Sequence, residues 1–227
     1  MENLPLYIPV TFGLTTILTI WLFYRAARRS VSSLVLIILW LILQSIISLQ
    51  GFYTVTNALP PRFLLLVMPP LLFIALLFFT KKGRNYVDNL DPALLTLVHI
   101  VRIPVEVILF WLYLYKAIPG LMTFEGRNFD ILSGLTAPLI FYVGWIQKKM
   151  SKKMLLAWNF ICLGLLINIV RYAILSAPFP FQQLAFDQPD RAILYFPFVA
   201  LPGCIVPLVL LSHLASIRYL LKKQNPV

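Results

Sequence analysis

Seven apolar stretches divide the chain, and short polar loops separate them. A helix needs about 20 consecutive apolar residues to cross roughly 30 Å of hydrocarbon. The pattern therefore predicts an all-α polytopic membrane protein, with a single seven-helix transmembrane domain over residues 1–227. The predicted transmembrane helices are Leu6–Phe23, Val31–Gln50, Phe63–Thr80, Leu94–Tyr115, Ile131–Gln147, Met154–Ser176 and Ile193–Ile217.

Lysine and arginine are concentrated in every second loop. Thirteen of the 19 basic residues lie in four segments, Arg25–Arg29, Lys81–Arg84, Lys148–Lys153 and Arg218–Lys223. Short loops that are rich in Lys and Arg stay in the cytoplasm. We therefore expect the N-terminus outside, the C-terminus in the cytoplasm and a multi-pass protein of the cell membrane, which in a bacterium is the inner membrane.

The composition narrows the choice of partners. With 60% hydrophobic and only 12% charged residues, the chain is not an ordinary soluble domain. Its net charge of +11 indicates membrane topology and attraction to anionic lipid, and it does not favour nucleic acid. We expect membrane lipid and a small-molecule or lipid ligand as partners, while the oligomeric state stays open.

Polar side chains inside the predicted transmembrane helices are candidates for a site, because ionisable groups at membrane depth are costly and usually functional. They lie on three helices: Gln44 on the second, His99, Arg102 and Glu106 on the fourth, and Asn168 and Arg171 on the sixth. The three residues of the fourth helix fall within about 60° of one another. We expect these groups to meet in the outer half of the bilayer, with Glu106 paired to Arg102 or Arg171.

The loop at residues 118–130 is predicted to lie above these groups. It carries Glu125, Arg127, Asn128 and Asp130, and Asp130 is also placed to cap the fifth helix. We interpret the loop as the rim of an outward-facing polar cavity, with the helix residues as its floor. The first functional interpretation is thus a non-enzymatic protein that binds or transports a small molecule, lipid or ion. The alternative is a structural or assembly subunit in which the polar groups lock the helices together.

The sequence gives little support for a cofactor. A retinal Schiff base needs a lysine in the middle of a helix, and every lysine lies in a loop or at a helix end. His99 and His213 are both predicted about 7 Å above the inner ends of their helices, which makes them weak candidates for a shared metal. A metal needs further ligands, so we predict no metal site and leave the cofactor unknown.

Interior prolines are predicted to bend several helices. Pro104 and Pro138 lie in the fourth and fifth, and the seventh contains Pro197, Pro202 and Pro207. Each removes one helical hydrogen bond. We expect the seventh helix to act as a hinge or a cavity wall.

One stretch resembles a known family. Asp130-Ile-Leu-Ser-Gly-Leu135, followed by Asn168-Ile-Val-Arg171, is similar to part of the exosortase/archaeosortase membrane transpeptidases. That family has an acidic-small-Cys-Ser-Gly-Leu run, then Asn-x-x-Arg, then a histidine. Here Leu132 stands in place of the nucleophilic cysteine, and His213 is predicted far from Ser133. The resemblance implies an intramembrane enzyme acting at the outer face with Ser133 and Arg171, or a relative that has lost catalysis.

Overall fold

The computed structural model describes residues 4–222 as a bundle of α-helices without strands. Lys223, which contributed to the predicted charge pattern, lies outside this range. We number the helices α1 Tyr7–Ala26, α2 Val31–Leu49, α3 Leu64–Phe79, α4 Lys81–Asp88, α5 Pro92–Val98, α6 Arg102–Leu114, α7 Ile131–Ile140, α8 Lys152–Ser176 and α9 Val206–Leu221. The all-α class predicted from the sequence is confirmed.

Five helical segments between residues 4 and 222 are long and apolar enough to cross a membrane. They are Tyr7–Ala26, Val31–Leu49, Pro92–Leu114, Lys152–Ser176 and Leu201–Leu221. A sixth candidate is α3 with α4, which meet at an angle of 93°. The segment Ile131–Ile146 is apolar but shorter. All seven predicted positions are thus helical, and five of them have full length.

Three of the seven apolar segments contain breaks near prolines. A 3-10 turn, His99–Val101, joins α5 to α6, and Pro104 lies in the first turn of α6. A π-helical segment, Phe141–Ile146, follows Pro138. Proline lacks an amide hydrogen and disturbs the regular hydrogen-bond ladder, so local 3-10 and π geometry lets each segment continue.

The seventh segment starts later than predicted. A π-helical turn, Leu201–Ile205, precedes α9, so the helix begins at Leu201 rather than Ile193. Pro197 lies before this start, and Pro202 lies in the first turn, where a missing amide costs little. At its other end α9 continues to Leu221, four residues beyond the predicted end, so His213 is eight residues from the last residue of α9, or about 12 Å.

Helices α5, α6 and α9 form the interior of the bundle. In an 18-residue stretch of Leu201–Leu221, 61% of the residues are buried, against 11% in Val31–Leu49. Helix α5 packs against α1 and α9, and α8 packs against α9. Polar groups on the inner helices therefore face protein, whereas α2 presents most of its apolar surface outward.

Candidate functional site

A group of polar side chains meets between α6, α7, α8 and α9. Its members are almost completely buried, and most of them are joined by hydrogen bonds. We call this group the buried polar centre; it consists of His99, Arg102, Glu106, Asn128, Asp130, Ser133, Asn159 and His213.

Arg102 connects three helices to the start of α7. Its Nη1 atom forms an ion pair with Asp130 and donates to the carbonyl oxygen of Cys162 at 3.3 Å. Its Nη2 atom lies 2.9 Å from Nε2 of His213. Arg102 is 3% exposed, so these contacts hold a charge inside the bundle.

The hydrogen bonds of His213 define its protonation. Asn159 donates through Nδ2 to the carbonyl of Leu155, which leaves its Oδ1 to accept from Nδ1 of His213 at 3.0 Å. The guanidinium of Arg102 only donates, so Nε2 of His213 must accept. His213 is therefore neutral, with its proton on Nδ1.

His99 stacks directly on His213. The ring centroids are 3.9 Å apart and the planes differ by 19°, while Trp158 contacts His99 edge-on at 5.6 Å. Both nitrogens of His213 are used by Arg102 and Asn159. His213 therefore has no free nitrogen lone pair, and the two stacked rings cannot both coordinate one metal ion. Within residues 4–222, no three His, Cys, Asp or Glu side chains are arranged to hold a metal.

Glu106 bonds to the loop before α7. Asn128 donates through Nδ2 to Oε1 of Glu106 at 2.5 Å and to the carbonyl of Met122 at 3.0 Å, and its Oδ1 accepts from the amide of Asp130. The predicted ion pair of Glu106 is wrong, because Arg102 pairs with Asp130 instead. The predicted burial of Glu106 among helices is confirmed, with 1% exposure.

Two glycines allow the loop and α7 to approach this closely. A Cβ atom on Gly134 would lie 3.0 Å from the amide nitrogen of Ile103 and 3.2 Å from Cβ of Arg102. A Cβ atom on Gly126 would overlap the carbonyl oxygen of Gly120. Small residues at helix contacts permit close backbone approach. Gly134 thus brings Asp130 and Ser133 within reach of Arg102.

Asp130 directly precedes α7, and Ser133 lies on its first turn. Asp130 makes no capping hydrogen bond to α7, so the predicted cap is wrong, and its carboxylate turns to Arg102. Ser133 Oγ lies 3.5 Å from Oδ1 of Asp130. The prediction that His213 is far from Ser133 is also wrong, because Arg102 bridges His213 and Asp130.

Several predicted site residues lie elsewhere. Gln44 is buried but accepts from Tyr53, and Asn168 donates to the carbonyl of Arg127 at 3.0 Å. Arg171, Glu125 and Arg127 are exposed. The predicted rim is therefore divided: Asn128 and Asp130 lie inside with Glu106, while Glu125 and Arg127 face out.

Asn159 was missed because the wrong face of α8 was chosen. Asn159 and Asn168 are nine residues apart, which places them on opposite faces at about 100° per residue. The buried residues Leu155, Cys162 and Leu166 follow the face of Asn159 at spacings of three and four. This periodicity in the sequence could have identified the inner face.

A third buried carboxylate, Asp190, lies outside the centre, in the loop after α8. Asp190 has no exposure, and its amide donates to the carbonyl of Ser176 at 2.9 Å. Neither carboxylate oxygen has a hydrogen-bond partner among the described residues. Burial raises the pKa of Asp190 to about 8, and the nearby amide of Ile193 opposes this only in part.

Asp88, at the end of α4, has the opposite environment. It accepts from Arg218 Nε at 2.7 Å and from Lys222 Nζ at 2.9 Å. The hydrogen bond from Arg218 is the main reason that the pKa of Asp88 falls to about 2. This contact ties α4 to the end of α9.

Comparison with known proteins places the chain in a family without giving it an activity. No curated protein and no solved structure matches it. One family model, described as a domain of unknown function (DUF8737), matches residues 59–221. The matched region runs from just before α3 to the end of α9 and includes every member of the buried polar centre. The chain therefore belongs to the DUF8737 family.

Proposed function

We propose that the chain is an integral membrane protein whose buried polar centre binds a small polar molecule or an ion. In this proposal all seven apolar segments cross the membrane, with the N-terminus outside and the C-terminus in the cytoplasm. The long apolar helices and the basic residues of alternate loops support this topology. The short segment Ile131–Ile146 is then the fifth crossing.

Unpartnered polar atoms in the centre carry the proposal. Both ring nitrogens of His99, Oε2 of Glu106 and Nε of Arg102 are buried and have no hydrogen-bond partner among residues 4–222. Leaving such an atom without a partner costs about 1–3 kcal/mol. Four such atoms on three residues of the centre favour an occupant that both donates and accepts hydrogen bonds.

Glu106 provides the direct test. Glu106→Gln retains an oxygen for Asn128 but removes the ionisable carboxyl group, and Glu125→Gln removes the same group from an exposed position. We expect native mass spectrometry of the wild type to show a bound small molecule or ion, and a thermal-shift screen of carboxylates, amines and monovalent cations to give a stabilising ligand. Glu106→Gln should lose both signals and Glu125→Gln should keep them.

The same experiment separates binding from a purely structural role. If the wild type binds nothing while Glu106→Gln changes only the melting temperature, the polar centre locks the helices and the binding proposal fails.

A second candidate is an intramembrane enzyme related to the exosortase/archaeosortase transpeptidases. One observation favours it: Ser133 lies 3.5 Å from Asp130, which Arg102 links to His213. Arg171 is exposed, and Leu132, at the position of the family's cysteine, is 51% exposed and points away from the centre. Ser133 would therefore be the nucleophile. A fluorophosphonate probe should then label Ser133 and not Ser176; an unlabelled Ser133 would exclude this candidate.

A further inference from the structure

An apolar cavity of about 490 Å³ lies between α2, α3 and α9. Ligand pockets usually measure about 300–1,000 Å³ and are mostly apolar with a few polar groups. Leu36 and Phe73, on two of its walls, are 49% and 45% exposed, so the cavity opens sideways through the face of the bundle. It shares no lining residue with the buried polar centre.

Specific contacts of α3 and of the π-helical turn before α9 fix the walls of the cavity. Pro69 and Pro70 form part of the wall. Because proline has no amide hydrogen, the backbone hydrogen bonds of α3 are interrupted at these two residues. Trp40 of α2 donates to the carbonyl of Gly203 at 2.8 Å, and a Cβ atom on Gly203 would lie 2.6 Å from Leu66. The cavity therefore depends on specific contacts and not on loose packing.

Hydroxyl groups line one end of the cavity. Ser33 Oγ lies 2.9 Å from Ser30 Oγ and 2.9 Å from the hydroxyl of Tyr86, and all three residues line the cavity. The rest of the wall is almost entirely apolar. The cavity thus has a polar end and a long apolar interior.

Exposed basic residues lie close in sequence to the polar end, outside the cavity lining itself. Arg28 and Arg29 directly precede Ser30, and Lys81 and Lys82 begin the helix that carries Tyr86; all four are exposed. The amide of Asp91 donates to the carbonyl of Ala26 at 2.9 Å, which holds the two segments together.

The acids nearby are already engaged, since Asp88 pairs with Arg218 and Lys222 and Asp91 caps α5. The positive charge at the polar end is therefore available for an anionic group.

We propose that this cavity binds one anionic glycerophospholipid, with an acyl chain between α2, α3 and α9 and the phosphate at the basic end. The apolar walls fit a hydrocarbon chain, and the sideways opening allows a chain to enter from the bilayer. The hydroxyls of Ser30, Ser33 and Tyr86 suit the glycerol and phosphate oxygens. The four basic residues select an anionic headgroup over a zwitterionic one.

The first experiment uses native mass spectrometry of the full chain with phosphatidylglycerol and, separately, phosphatidylcholine. We expect one tightly bound phosphatidylglycerol per chain. Lys81→Gln/Lys82→Gln should weaken its binding about 25-fold, since each cation near an anionic headgroup contributes about fivefold. The control pair Lys152→Gln/Lys153→Gln, which neutralises two exposed lysines at the start of α8, should not. Equal binding of both lipids, or equal losses in the two double variants, would overturn the proposal.

The acyl-chain site is tested by filling the cavity. Leu36→Trp should block it, whereas Leu39→Trp changes an exposed residue of the same helix that does not line it. We expect loss of the bound lipid only in Leu36→Trp.

A photoactivatable phosphatidylglycerol, with a diazirine in its acyl chain, tests the wild type without any substitution. Crosslinks should map to the cavity walls of α2, α3 and α9. Crosslinks spread evenly over the exposed apolar helix faces, or lipid retained in Leu36→Trp, would contradict the proposal.

Discussion

Arg102 carries its charge inside the bundle, and Asp130 is the carboxylate that pairs with it. Removing one partner of a buried pair costs about 3–5 kcal/mol, because the remaining charge is left without compensation. Asp130→Asn should therefore lower the stability by about this amount. The double variant Arg102→Gln/Asp130→Asn should recover part of the loss. Unfolding of the purified protein in detergent measures both, and additive losses would show that the two residues do not interact.

The burial of Asp190 predicts that the stability of the folded protein depends on pH, independently of the buried polar centre. The folded-state pKa of Asp190, about 8, lies above the unfolded value of about 3.9, so the folded state binds the proton more tightly. Stability should then be highest at acidic pH and fall as the pH rises from about 4 to about 8.

Melting curves between pH 5 and pH 9 check this. Asp190→Asn should flatten the fall, whereas Asp187→Asn, at an exposed position of the same loop, should leave it unchanged. Identical slopes in the wild type and Asp190→Asn would show that Asp190 is not responsible.

The polar stripe of His99, Arg102 and Glu106 could be predicted because helical periodicity alone places three residues on one face. Their partners could not. The choice of Asp130 for Arg102 depends on how deeply the loop at 118–130 enters the bundle, and that path is set by tertiary contacts of Gly126 and Gly134. Charge on its own suggested Arg171 as a partner for Glu106, but Arg171 is exposed.

The contact between α6 and α7 determines whether the centre forms. Gly134→Ala would place a methyl group 3.0 Å from the backbone of Ile103, so α7 must move away and carry Asp130 and Ser133 with it. We expect a lower melting temperature and loss of ligand binding.

Gly164→Ala is the matched control, because nothing lies within 4 Å of its added Cβ and alanine favours helix by about 1 kcal/mol. If Gly134→Ala is as stable as Gly164→Ala, the close approach is not required.

Helix positions were predictable where apolar runs were uninterrupted, as in α2, and less so where proline intervened. The predicted start of the seventh helix at Ile193 was eight residues early, because hydropathy continues through Phe196–Val199 while regular helix begins only at Leu201. The depth of His213 was underestimated at the other end of this helix, which was predicted to stop at Ile217 but continues to Leu221. The contact between His213 and Arg102 was therefore not expected.

At the scale of the whole molecule, the topology is open to direct measurement. Single cysteines at Ser151, Asn57 and Gln183 occupy exposed loop positions, and the native Cys162 and Cys204 are buried. In intact cells a membrane-impermeant maleimide should label Asn57→Cys and Gln183→Cys but not Ser151→Cys. Labelling of Ser151→Cys from outside would reverse the proposed orientation.

If the segment Ile131–Ile146 is the fifth crossing, as proposed, its length affects how the protein fits a bilayer. Its two parts of 10 and 6 residues reach about 24 Å, less than the roughly 30 Å of hydrocarbon. A mismatch of this kind is usually relieved by local thinning of the bilayer. The loop before this segment is buried at Asn128 and Asp130, which are 0% and 5% exposed, so protein surrounds these two side chains. In the proposed topology, the acyl-chain length of the host lipid would set how much of the loop at 118–130 lies level with hydrocarbon and how near water comes to Asp130.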